Sequence, residues 1–306
     1  LLVGALPGLS SPMAIIILLP VTYSLDPLPA LLVMIGVYVG TKLGGSFAAI
    51  LLRTPGTPAS ACTALDGFPM AEKGEAGLAL GYATYGSFVG GLSSWIIAVT
   101  FIPVISAIAL KSSNADIALI GIMGLVMVSA FTRGSMLKGF IGVCVGILIG
   151  CMGMDRVDTI ERFTFGSLDL LTGVPFAAAL VGLFGFAVVI SDLALMKSKA
   201  EIVATKFRIK LPTFKQFFSR WKAWGTGSFM GAVVGAVPGV GADGATWLAY
   251  GTVKNNSKNP EEFGIGNPDG VIAPETANNG TTGGAMVPML TLGIPGDAST
   301  AIMIGA

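Results

Sequence analysis

Two stretches of this sequence combine residue types that suit ligand binding. Thr54-Pro55-Gly56-Thr57-Pro58-Ala59-Ser60 and Pro295-Gly296-Asp297-Ala298-Ser299-Thr300 each place Pro-Gly directly before small polar residues. Proline removes a backbone donor and glycine bares the chain. A helix interrupted there leaves N–H and C=O groups free for a substrate or an ion. Thr54, Thr57, Ser60, Ser299 and Thr300 add hydroxyls, and helix N-termini after such breaks favour an anion. On this reading a branched side chain at Gly56 or Gly296 fills the site. Arg53 precedes the first break. Its planar fork suits a carboxylate bidentately, but an arginine snorkelling to an interface fits equally well. Lys42 is read as a residue at a helix end.

A second polar cluster runs from Pro274 to Thr282 and includes Glu275, Asn278 and Asn279. It offers amide, hydroxyl and carboxylate oxygens, which suit a hard cation or hydrogen bonds to a carboxylate. Asn278 and Asn279 are therefore assigned to the substrate. Asp243 and Asp297 would repel an anion and are assigned to a coupling cation. The competing class is an intramembrane hydrolase, with Asp243 paired to Glu275 or Asp297 for acid–base work. A passive anion channel is the third reading. No residue is assigned a catalytic role. There is no histidine, which removes histidine-based nucleophile and metal chemistry. Cys62, Cys144 and Cys151 form neither a disulfide framework nor a metal set. Gly239-Val240-Gly241-Ala242-Asp243-Gly244 matches a dinucleotide fingerprint, but no strand–helix–strand pattern surrounds it.

The elements that must position these residues read as membrane helices. Only 11% of the 306 residues are charged and 53% are hydrophobic, against about 25% charged in soluble domains. A net charge of +1 gives no footprint for nucleic acid. Segments 78–110, 115–131, 136–153 and 173–195 are long and apolar enough to span a bilayer. The first is tilted, or broken near Pro103. A fifth stretch, 225–239, carries Gly231, Gly235 and Gly239, and 136–153 carries Gly142, Gly146 and Gly150. Such spacing lets helices approach closely. Segments 13–20, 28–40, 44–52 and 283–294 are short and interrupted, as in discontinuous helices. Eight basic residues between Lys197 and Lys222 place that loop in the cytoplasm. The chain opens and closes inside apolar runs, the pattern of a piece of a longer membrane protein.

The sequence also repeats itself. Gly4-Ala5-Leu6-Pro7-Gly8-Leu9 recurs as Gly235-Ala236-Val237-Pro238-Gly239-Val240. Gly44-Gly45 followed by Pro55-Gly56 recurs as Gly283-Gly284 followed by Pro295-Gly296. Paired Pro-Gly breaks in two halves point to a transporter built from repeats. The expected fold is all-α and polytopic, with two inverted repeats and discontinuous or re-entrant helices at the Pro-Gly motifs. Pro7, Gly8, Pro238 and Gly239 act as hinges. Residues 1–110 form the first repeat, 111–195 connecting spans, 196–224 the basic loop and 225–306 a truncated second repeat. The two breaks are expected to face one polar cavity near the bilayer midplane.

Several of these segments resemble one family. Leu6-Pro7-Gly8-Leu9, Gly44-Gly45-Ser46, the run 54–60, Leu65-Asp66-Gly67-Phe68-Pro69-Met70, the run 238–243, Ala277-Asn278-Asn279 and Leu292-Gly293-Ile294-Pro295-Gly296-Asp297 are similar to the large permease subunit of tripartite tricarboxylate transporters, the TctA family. The resemblance implies a multi-pass bacterial inner-membrane symporter for small carboxylates such as citrate. It implies no cofactor beyond a coupling cation, sodium or proton. It implies two partners, a small membrane subunit and a periplasmic solute-binding protein.

Overall fold

The computed structural model describes residues 1–6, 9–131, 135–155, 159–175, 178–179, 182–183, 190 and 211–305. The hinge pair Pro7-Gly8, most of the expected span 173–195 and the basic residues 197–210 lie outside the described residues.

The described chain is almost entirely helical. In order it forms α1 (Leu2–Ala5), α2 (Ser11–Thr22), α3 (Pro27–Leu52), α4 (Ala61–Met70), α5 (Ala76–Ala109), α6 (Asn114–Phe131), α7 (Met136–Gly150), α8 (Phe214–Phe218), α9 (Trp221–Gly235), α10 (Gly241–Asn255), α11 (Pro268–Leu292) and α12 (Ala298–Ile304). A two-residue hairpin, β1 (Gly153–Met154) with β2 (Glu161–Arg162), pairs antiparallel after α7. Two stretches are long and apolar enough to cross a membrane, Pro27–Leu52 and Pro58–Ala109. At about 1.5 Å per residue α5 alone is about 51 Å long, beyond a hydrocarbon core of about 30 Å.

The molecule is inverted relative to a soluble fold. Phe88, Trp95, Ile96, Val99, Phe101, Val104 and Ile108 on α5 are exposed, as are Leu137, Phe140 and Ile141 on α7. The polar helix α11 is buried without a break from Gly270 to Met289. A lipid solvent dictates this arrangement, because every polar group must find its partner inside the protein.

Two expectations about the elements need correction, and of the tilt or break expected for the first span the break is absent. The short runs 28–40 and 44–52 are one continuous helix, α3. The polar cluster 274–282 and the apolar run 283–294 likewise belong to one helix, α11. And α5 continues through Pro103 without a break. The reason is packing. Small residues on α11 let α5 and α9 reach its backbone. A Cβ on Gly90 would sit 2.0 Å from the Thr276 carbonyl oxygen, one on Gly283 2.2 Å from that of Ser94, and one on Gly231 2.6 Å from that of Ala277. Turn-type residues thus serve as contact points on a helix held by its neighbours. Asn267 caps α11 by accepting the Asp269 N–H at 2.9 Å, Pro268 opens its first turn, and Gly293 ends it in the left-handed region.

The glycine ridge of α7 behaves differently. Cβ atoms on Gly142, Gly146 and Gly150 would meet nothing within 4 Å. Among the described residues nothing packs against that ridge, whereas Gly227, Gly231 and Gly235 on α9 fit against α11.

Candidate functional site

Both Pro-Gly breaks are held by the same set of contacts. In the first half a Cβ on Gly4 would strike the Thr41 carbonyl oxygen, one on Gly44 the Leu1 carbonyl oxygen, and one on Gly56 the Gly4 carbonyl oxygen and Gly45 Cα. In the second half the matching positions do the same. Gly235 meets Thr281, Gly284 meets the Ala232 carbonyl oxygen, and Gly296 meets the Gly235 carbonyl oxygen and Ala285 Cα. Backbone bonds tie each break in place, from Gly56 N–H to the Gly45 oxygen at 3.2 Å, and from Gly239 N–H to the Gly296 oxygen at 3.0 Å. The missing side chains of Gly56 and Gly296 admit neighbouring backbone.

The segments that follow the breaks share one cavity of about 590 Å³. Thr57, Pro58 and Ala59 line it from the first break, and Pro295, Asp297, Ala298 and Ser299 from the second. Ser10 and Ser11 at the start of α2, and Gly239 to Asp243 at the start of α10, complete the ends. Tyr38 and Lys42 from α3 and Asn278 from α11 form its wall.

Lys42 is the residue that sequence reasoning undervalued. It is not at a helix end but in the middle of α3, only 3% exposed. Its Nζ donates to the Asn278 carbonyl oxygen at 2.8 Å and to Thr281 Oγ1 at 2.5 Å, and lies 4.3 Å from the centre of the Tyr38 ring. An ammonium has three donors, so one remains beyond these two bonds. The available signal was a lone lysine inside an otherwise apolar run, which is a functional hypothesis by default once the run is a membrane helix.

Two polar groups on the cavity wall are buried without a partner. Asn278 is fully buried, and neither its Oδ1 nor its Nδ2 is hydrogen-bonded. Thr57, 6% exposed, has an unpartnered Oγ1. A buried polar group left unsatisfied costs about 1–3 kcal/mol, so this pair marks where a polar ligand would be welcome.

The acidic residues are engaged differently. Asp297 accepts the Tyr38 hydroxyl across the two halves, and its Oδ1 caps α12 by accepting the Thr300 N–H at 2.9 Å. Asp243 lines the same cavity from the first turn of α10. Asp297 and Asp243 therefore share the cavity with Lys42.

Other candidates fall elsewhere. Ser60 and Thr300 are buried and turned into their own caps, Ser60 Oγ to the Thr57 oxygen at 2.7 Å and Thr300 Oγ1 to the Asp297 oxygen at 2.9 Å. Thr54, Pro55, Gly56, Gly296, Asn279 and Pro238 are outside the cavity lining. Arg53 is exposed, in the left-handed region at φ 52°, with its guanidinium 5.4 Å from the Phe68 ring. It borders a separate pocket with Leu65, Glu72 and Lys73, so the structure does not bring it to the cavity lining.

Two further carboxylates organise the surroundings. Asp66 is fully buried, and its Oδ1 accepts the N–H groups of Gly264, Gly266 and Asn267 at 2.7–2.9 Å while Oδ2 accepts the Tyr250 hydroxyl at 3.0 Å. It locks the loop that launches α11. At the same end Arg220 meets Asp269 at 2.8 Å. Burial disfavours the Arg220 charge, but the Asp269 carboxylate outweighs it and holds the guanidinium above its usual pKa.

A helical protein with lipid-like apolar surroundings, whose interior polar cavity is shared by two broken segments, has the architecture of a membrane transporter. The chain belongs to the tripartite tricarboxylate transporter TctA family, whose model matches residues 1–306. It is 38% identical over all its 306 residues to an uncharacterized 52.8 kDa protein in the TAR-I ttuC' 3'region of Agrobacterium vitis, covering 61% of that protein. It is 45% identical over 76 residues, 25% of this chain and 31% of the relative, to an uncharacterized protein in the TAR-II ttuC' 3'region of the same organism. The chain thus spans about three-fifths of the longer relative. No solved structure matches it.

Proposed function

We propose that this chain forms the substrate site of the large permease subunit of a tripartite tricarboxylate transporter. It imports a small carboxylate such as citrate across the bacterial inner membrane. A periplasmic solute-binding protein delivers the substrate, and a small membrane subunit completes the assembly. The observation that carries this reading is the single cavity between the two breaks, with Lys42 beside the unpartnered groups of Asn278 and Thr57.

The chemistry follows from those groups. The remaining Lys42 donor takes one oxygen of a substrate carboxylate, and the Asn278 amide and Thr57 and Ser299 hydroxyls take others. The bond from Lys42 is charge-assisted, and such bonds are the stronger ones. Lys42 is opposed in the lining by Asp243 and Asp297. One cation against two acids does not favour a bare anion, so a carboxylate enters best together with a cation. Sodium or a proton fills that role, and Asp243 and Asp297 are carboxylates that line the cavity it enters. A passive channel has no use for this balance of charge.

Uptake of labelled citrate by the complete transporter in proteoliposomes tests the reading. The expected result is accumulation against a citrate gradient that depends on an imposed cation gradient. Accumulation should be lost in Lys42→Met while insertion is normal. Equilibration without accumulation would favour a channel, and unchanged uptake by Lys42→Met would overturn the site.

A further inference from the structure

One buried acid has no part in the cavity. Glu275 lies on α11 one turn before Asn278, fully buried. Three hydroxyls from three different helices converge on it. Ser46 Oγ of α3 donates to Oε1 at 2.6 Å, Thr63 Oγ1 of α4 donates to the same oxygen, and Ser87 Oγ of α5 donates to Oε2 at 3.1 Å. Among the described residues no cation touches it. Lys42, on the helix that carries Ser46, spends its contacts on Asn278 and Thr281. Among the described residues, the ionisable groups that feel Glu275 are Lys42 on α3 and Cys62 on α4. From α5 comes only the Ser87 hydroxyl, and α9 presents glycines to this stretch of α11.

Resting on the carboxylate reading of the cavity, we propose that Glu275 is a proton-binding site that couples proton movement to carboxylate transport. The argument has three steps. An ionised carboxylate cut off from water and lacking a contacting cation is costly, and binding a proton is the direct remedy. The three hydroxyls keep the ionised form accessible, because each can donate to it, and each can instead accept once the acid carries its proton. They also close around the carboxylate at hydrogen-bond distance, which suits a proton better than a metal ion.

The position of Glu275 then links the proton to the substrate. Ser46 is one turn from Lys42 on α3, and Glu275 is one turn from Asn278 on α11, so Glu275 sits directly behind the wall that holds the substrate. An ionised Glu275 competes with the substrate for the field of Lys42. A protonated Glu275 releases that field, and the carboxylate binds more tightly. Linkage makes the effect mutual, so bound carboxylate raises the proton affinity of Glu275. The proton adds to a carboxylate oxygen on entry and leaves from it on release; no bond of the substrate changes.

The test uses the complete transporter in sodium-free proteoliposomes, with citrate as probe above neutral pH so that its own carboxyls stay ionised. Wild type should take up a proton with citrate and accumulate citrate under an imposed pH gradient. Glu275→Gln, which reproduces the protonated shape, should exchange citrate across the membrane yet lose proton uptake and gradient-driven accumulation. Ser87→Ala removes a donor to the ionised form. It should shift the pH midpoint of citrate binding upward by about one unit, and this holds even if Glu275→Gln fails to insert. Normal proton-driven accumulation by Glu275→Gln, or an unshifted midpoint in Ser87→Ala, overturns the proposal. Accumulation driven by sodium with no proton uptake also overturns it and moves coupling to Asp243 and Asp297. Citrate binding that exists but is indifferent to pH sinks the proton site alone. Absence of citrate binding by wild type at every pH sinks the underlying reading.

Discussion

The two breaks have nearly the same backbone and very different side chains. Arg53 and Gly293 occupy equivalent positions and both adopt the left-handed conformation, at φ 52° and 68°. Thr57 and Asp297 start the next helices, and Ser60 and Thr300 close back on them. On the wall, Tyr38 of α3 stands where α11 has Asn278, and Lys42 stands where α11 has Thr282. The glycine contacts that fold each half are duplicated, while the groups that face the cavity are not. One half contributes the cation and a phenol, the other two carboxylates and an unpartnered amide. The lesson is a division of labour: a shared scaffold fixes where the cavity is, and the divergence between halves makes it polar in one direction.

The largest expected effect breaks the shared part. Gly56→Val and Gly296→Val should both prevent stable insertion, since a Cβ would lie 2.3 Å from the Gly4 oxygen or 2.7 Å from Ala285 Cα. Each should cost about 3 kcal/mol or more. Gly142→Val on open α7 should be tolerated, and size-exclusion profiles in detergent would show the contrast.

Next come the cavity groups that differ. Lys42→Met should weaken citrate binding by about 2–5 kcal/mol, roughly thirtyfold or more, as expected when one partner of a buried charge contact is removed. Thr282→Ser at the equivalent position should leave it unchanged. Direct binding measurements on purified transporter check both.

Asn278 and Tyr38 should respond with opposite signs. Asn278→Leu removes two unsatisfied buried atoms, so the empty protein should gain about 1–3 kcal/mol while citrate binding weakens. Tyr38→Phe deletes the bond to Asp297 and should lose about 1 kcal/mol. Thermal melts with and without citrate separate the two. A fall in melting temperature for Asn278→Leu would mean the amide is already satisfied.

The smallest effect concerns the left-handed caps. Arg53→Gly should stabilise by about 1 kcal/mol, because glycine adopts that conformation without strain, and Gly293→Ala should destabilise by a similar amount. Citrate affinity should not change in Arg53→Gly, since Arg53 lies apart from the cavity. A loss of affinity there would restore Arg53 as a substrate residue.

The sequence by itself determined that this is a helical membrane chain, because so little charge across 306 residues leaves lipid as the only suitable solvent. It also located both Pro-Gly breaks and the hydroxyls beside them, since proline and glycine act locally on their own backbone. Tertiary structure decided everything that depends on which neighbour arrives. Gly44-Gly45 and the run 274–282 read as interruptions. They are helical because α1, α5 and α9 close onto their bare backbone, and that rescue is invisible in local propensity. Lys42 and Arg53 are two basic residues eleven apart in one apolar stretch. Only the packing of α3 against α11 puts the first inside the cavity, and only the left-handed turn at its end carries the second away from it. Glu275 was legible as an acid in a polar cluster. Its three hydroxyl partners come from α3, α4 and α5, elements separated from it by up to 229 residues, and no local pattern could have assembled them.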